Sequence, residues 1–153
     1  MQKIYGWKLA VICVNLVVGS HFVVAGFAKV AATDDVVVAT ILTDLISTVQ
    51  HRRYVGAVEV FLGLWLWSQL AGSVARLCAT LALSSFALVL FLEQFRDDPR
   101  SCGCGGTSVA LLNEAEVRFS LAIRTGQNIL LVVAMIAAEA VSLVRRDLYR
   151  QAR

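Results

Sequence analysis

The chain has 153 residues, of which 58% are hydrophobic and 16% charged, with a formal net charge of +3. A typical soluble domain carries about 25% charged residues, and one this apolar would present far more greasy surface than water tolerates. There is no basic face interleaved with aromatics, which excludes nucleic-acid recognition. The lipid bilayer is the expected surrounding of a single membrane domain, residues 1–153.

In chain order, a first apolar run from Trp7 to Val30 predicts span one, close to the roughly 20 residues that cross hydrocarbon. Lys3 and Lys8 resemble the basic start of a signal peptide, and Val30-Ala31-Ala32 resembles a cleavage site. The run nevertheless exceeds the roughly 7–15 apolar residues of such a peptide, so it reads as a retained span. His21 and Lys29 lie eight positions apart within it, on one helical face. Next, residues 34–50 place Val38, Ile41, Leu42, Leu45, Ile46 and Val49 on one face. Thr40, Thr43, Asp44, Ser47 and Thr48 lie largely opposite. This predicts an amphipathic helix, capped by Thr33 or Asp34. At about 1.5 Å per residue it is too short to cross, so it is expected to lie in the interface.

Span two is expected over residues 54–70, with Glu59 between Gly56 and Gly63 on nearly one face. A charge at mid-membrane costs roughly 2.5–3.5 kcal/mol on insertion scales. Lys29 is long enough to snorkel toward water; Glu59 is not. Pairing the two, with His21 one or two turns deeper, offsets much of that cost, and the flanking glycines allow close helix contact. Span three, residues 74–95, ends with Glu93 and Gln94 on the same side. The connection from Arg96 to Gln127 then carries Ser101-Cys102-Gly103-Cys104-Gly105-Gly106. Asn113 and Glu116 have capping-box spacing, so a helix starts there and runs toward span four, residues 128–144, with Gly126 as a weak point. Arg124 and Asn128 stand at that span's start. The expected fold is all-α: an integral membrane antiparallel four-helix bundle, with the interfacial amphipathic helix between spans one and two.

Lysine and arginine divide evenly between the two sides. The dense basic tail of Arg145, Arg146, Arg150 and Arg153 breaks the tie and places both termini in the cytoplasm. The Cys102/Cys104 loop then faces an oxidising extracytoplasmic compartment. Glycine between and after the two thiols lets the sulfurs approach each other and lets a second protein's backbone approach them. A disulfide across so short a loop is strained and readily reduced, and Arg100 can favour a thiolate. Thiol–disulfide exchange is the leading reading; a structural disulfide and half a metal site are the alternatives. Zinc needs about four ligands and the loop offers no further Cys or His, so no metal is expected. Cys13 and Cys78 read as small packing residues, or as a second redox pair if they are neighbours.

His21, Lys29 and Glu59 thus gather in the outer half of the spans, beneath the thiol loop. They read either as a polar pocket for a quinone head or a partner, or as glue between helices. No phosphate loop or nucleophilic serine motif is present; a single four-helix unit would need to dimerise to make a typical transporter, and no internal repeat supports that.

Four spans with Gly26 and Lys29 closing the first, Gly56, Glu59 and Gly63 in the second, and a Cys-Gly-Cys loop before the fourth resemble the methylamine-utilisation MauE family, itself related to DoxX-like membrane proteins. The likeness covers residues 5–145. It implies a bacterial inner-membrane protein that helps mature a disulfide-rich extracytoplasmic protein beside a thioredoxin-like partner. Cys102 and Cys104 would be the redox pair, and quinone would be the electron carrier suggested by the DoxX-like relatives. One departure is Gly105, where the family loop often has an aromatic residue. The alternative reading is a non-catalytic membrane subunit or assembly factor of a respiratory or dehydrogenase complex.

Overall fold

The computed structural model describes residues 2–31, 49–95 and 114–151. They form four α-helices: α1 (Gln2–Ala31), α2 (Val49–Ser68), α3 (Gly72–Glu93) and α4 (Glu114–Gln151). Three segments are long and apolar enough to cross a membrane: Gly6–Ala31, Gly72–Glu93 and Ala115–Arg145. None contains proline, so each backbone hydrogen-bonds internally, as hydrocarbon demands. α2 carries Arg52, Arg53 and Glu59 within its 20 residues and falls outside that set.

Two boundaries differ from expectation. α2 starts at Val49, five residues before the expected 54, because His51, Arg52 and Arg53 form its first turns. A charged first turn resembles a connection in sequence and is ordinary at a water boundary. α4 is one uninterrupted helix of 38 residues, so the capping-box helix and span four are the same element, and Gly126 does not break it. The expected amphipathic helix over 34–50 lies outside the described residues, apart from Val49 and Gln50, which open α2.

α1 packs against α2, and α3 against α4, with smaller contacts joining α1 to α4 and α2 to α3. The first pair is antiparallel and held by glycine. Gly19 faces Gly63, and Gly26 faces Gly56. A Cβ added to Gly26 would sit 2.5 Å from the Gly56 carbonyl oxygen, and one on Gly63 would sit 2.5 Å from the Gly19 carbonyl oxygen. Backbones this close leave no room for any side chain, which is the packing that small residues permit between membrane helices. The Trp67 indole N–H donates to the Leu16 carbonyl at 3.2 Å and closes the far end of this seam.

α2 ends at Ser68 and the chain turns through residues 69–71. Gln69 and Ala71 take φ of 57° and 47°, a left-handed region that costs a non-glycine residue roughly 1–2 kcal/mol. The turn is held by its own side chain: Gln69 Nε2 donates to the Leu66 carbonyl at 2.9 Å, and its Oε1 accepts from Asn15 Nδ2 at 2.8 Å. The main core runs through Val18, Phe22, Leu66, Ala75, Ala79, Leu83 and Met135, with contributions from all four helices. A smaller cluster of Leu90, Val117 and Leu121 joins α3 to α4 beside the first turns of α4. Outside it, Val17, Val24, Phe27, Phe61, Leu88, Leu130 and Val133 are exposed. An apolar exterior around an apolar core is the pattern of helices solvated by lipid.

Candidate functional site

The glycine seam decides which charges meet. Because α1 and α2 touch at Gly26 and Gly56, the Lys29 stem lies against Gly56, and its long side chain reaches Glu59, one turn further along α2. Lys29 Nζ donates to Glu59 Oε1 in a buried ion pair. Lys29 is 8% exposed and Glu59 2%. The ammonium also lies 5.1 Å from the centre of the Phe86 ring of α3, a cation–π contact that is worth most when desolvated. The second carboxylate oxygen, Oε2, is buried and has no hydrogen-bond partner among the described residues.

These groups line a cavity of about 550 Å³ bounded by all four helices. α1 contributes His21 and Lys29, α2 Glu59, α3 Phe86, and α4 Arg124 and Asn128. His21 and Asn128 line the same chamber, and the His21 ring meets Phe22 edge to face at 6.3 Å. A buried acceptor, a cation, an amide, an imidazole and apolar walls therefore share one chamber. That is the chemistry that recognises a compact polar head on an apolar body. Next to it, Gln94 Nε2 donates to Thr125 Oγ1 at 2.9 Å, and Arg118 donates to the Gln94 carbonyl. These bonds pin the end of α3 to the start of α4.

His21, Lys29 and Glu59, singled out from sequence, line this one cavity, and the expected Lys29–Glu59 pair is present. Cys102 and Cys104 lie outside the described residues. Cys13 is exposed and Cys78 half-buried, both as free thiols. Sequence reasoning missed a second ion pair at the other end of the molecule. Arg76 of α3, 6% exposed, donates through Nε to Glu139 Oε2 at 2.6 Å. Its Nη2 lies 3.5 Å from the hydroxyls of Ser73 and Ser142. The signal was available: one cation and one anion, each a few residues inside the end of an apolar segment.

Apolar helices of membrane-crossing length, fastened by one buried and one part-buried ion pair, define a polytopic helical membrane protein with an internal polar chamber. The chain belongs to the MauE family: the family model described as methylamine utilisation protein MauE matches residues 7–142. No curated protein and no solved structure matches it.

Proposed function

We propose that this MauE-family protein supports thiol–disulfide redox or maturation of extracytoplasmic proteins through Cys102 and Cys104, with the chamber around Glu59 holding a quinone head. The observation that carries the reading is a buried carboxylate with one oxygen unpartnered among the described residues, in a chamber at the end of the molecule where α3 stops at Glu93 and α4 starts at Glu114. The thiol-bearing segment connects those two helix ends. In this reading α2 is the fourth crossing of an antiparallel bundle in the bacterial inner membrane. Both termini are cytoplasmic and the thiols extracytoplasmic.

The exchange balances as a two-electron step. A thiolate of a thioredoxin-like partner attacks the Cys102–Cys104 disulfide, a mixed disulfide forms, and a second partner thiolate resolves it. The partner is left oxidised and the loop reduced. A quinone would take up two electrons and two protons from the reduced pair. The chain's own residues fit such a head: Lys29 and Asn128 supply donors to a quinone carbonyl, Glu59 Oε2 an acceptor for the hydroxyl of the reduced quinol, and Phe22 and Phe86 apolar walls.

Single Cys102→Ser and Cys104→Ser variants test this, because one of them is expected to trap an extracytoplasmic protein as a mixed disulfide on non-reducing gels. If neither traps a partner and both still support maturation, the protein is a non-catalytic assembly factor. For the chamber, gentle purification is expected to retain quinone in the parent protein and less in Glu59→Gln.

A further inference from the structure

The chamber around Glu59 is not equally closed on all sides. Its lining residues from α2 and α3, Glu59, Phe86, Val89 and Leu90, are buried or half-buried. Among the described residues, every exposed part of the lining comes from α1 or α4: Val17, Ser20 and Val24 on the first, Gln127 on the second. These two helices meet far less than either meets its packing partner. The mouth of the chamber therefore lies in the seam between α1 and α4. Val17 and Val24 are 60% and 70% exposed, and the seven positions between them make a slot about 10 Å long. Both stand well inside the apolar segment Gly6–Ala31, and Gln127 stands inside Ala115–Arg145. In a bilayer such a slot opens onto acyl chains. The Ser20 hydroxyl at its edge already donates to the Leu16 carbonyl at 2.8 Å, so it brings no unmet donor to the lipid side. Gln127 does the reverse: it carries an amide on the exposed side of α4, which is costly against hydrocarbon unless something polar meets it. The chamber is also long. Lys29 and Val17 both line it, and the twelve positions between them span about 18 Å, far more than one six-membered ring. Its charged pair stands at the Lys29 end, and Val17 and Leu131 make the other end apolar.

We propose that the occupant of this chamber is a quinone with a long prenyl tail, which enters sideways from the bilayer between α1 and α4 and leaves its tail in the slot. The inference rests on the quinone reading of the chamber and adds the ligand's class and its route. The head reaches Glu59 and Asn128, and the first part of the tail fills the apolar length toward Val17 and Leu131. The remainder passes out between Val17 and Val24 into the lipid. A ring without a tail fits the polar end and leaves the apolar end unfilled. Entry from lipid also favours tailed molecules because their apolar area concentrates them in the bilayer. The amide of Gln127 gives the polar head a partner as it passes the mouth. The position of the slot fixes which end of the ligand trails, so the head points toward the helix ends that the thiol-bearing segment connects.

The experiment is equilibrium binding to the full chain in lipid nanodiscs, with empty nanodiscs subtracted. The probes are decylubiquinone and menatetrenone, each beside the same ring without its tail. The tailed forms are expected to bind at least about tenfold more tightly at equal total concentration. A photoreactive diazirine on the tail close to the ring is expected to label α1 between Val17 and Val24 and α4 between Gln127 and Leu131. Excess unlabelled tailed quinone is expected to suppress that labelling. The Val24→Trp/Gln127→Trp double variant, which fills the mouth, is expected to lose at least about tenfold in affinity for the tailed forms. Leu88→Trp, on the exposed face of α3 and outside the lining, is expected to keep it. Equal binding of tailed and tailless rings overturns sideways entry and leaves the quinone reading standing, as does suppressible labelling confined to other helices. Undiminished binding in a folded double variant does the same. Binding of neither form removes the quinone reading and this inference with it. If the double variant does not fold, the tail dependence and the labelling pattern of the parent protein decide.

Discussion

At the scale of single residues, the chain's costliest groups are its buried charges. Removing one partner of a buried pair leaves the other without compensation, at a cost of roughly 3–5 kcal/mol. Lys29→Met and Glu59→Met, each alone, are expected to lower the thermal unfolding temperature in detergent sharply. The Lys29→Met/Glu59→Met double variant is expected to recover much of that loss, since an apolar pair of similar volume is often neutral. If the double variant is as unstable as the sum of the singles, the two charges do not depend on each other. The same cycle at Arg76 and Glu139 is expected to show weaker coupling. Glu139 keeps a side-chain exposure of 28%, and water reaching it reduces both the cost of isolation and the benefit of pairing.

Helices are fixed to one another by features of the opposite kind, where side chains are missing. Gly26→Ala and Gly63→Ala would each push a methyl group to 2.5 Å from a facing carbonyl oxygen. Overpacking of this sort costs roughly 1–3 kcal/mol, read as reduced thermal stability. Gly126→Ala tests the contrast. A Cβ there meets nothing within 4 Å, and alanine is the better helix former by about 0.8–1.0 kcal/mol. That substitution is expected to stabilise the protein. Much of this level was legible in the sequence. The four helices follow from the apolar runs. The Lys29–Glu59 contact follows because a short acid in hydrocarbon must find a cation. Gly56 and Gly63 stood out because they flank that acid. Gly19 and Phe86 did not, since each looks like its neighbours until the packing is known. Arg76 escaped because it stands only four residues inside its helix, where it resembles an ordinary interfacial anchor. The thiols of Cys102 and Cys104 were legible as chemistry, and their position lies outside the described residues.

For the molecule as a whole, the arrangement of ends carries a topological prediction. Trp7 and Lys8, near the start of α1, and Val141 and Arg145, toward the end of α4, line one small concavity, so both termini are expected on one side of the membrane and the thiols on the other. A membrane-impermeant maleimide added to intact cells is expected to label Cys102 or Cys104 after mild reduction. Tags at the two termini are expected to become accessible only after lysis. Labelling of the thiols from the cytoplasmic side alone would remove the basis for exchange with an extracytoplasmic protein.

Two glycines seven positions apart on α1 mesh with two at the same interval on α2, in the manner of a key cut with two notches. Slide either helix by a single turn and both notches meet bulk, so only one alignment closes. The depth at which the carboxylate of Glu59 sits is thus written by residues that have nothing to titrate, bind or donate. Gly19 is ten residues from Lys29, about 15 Å along the helix axis. A mutational survey scored on function alone would nonetheless rank it beside the charged pair.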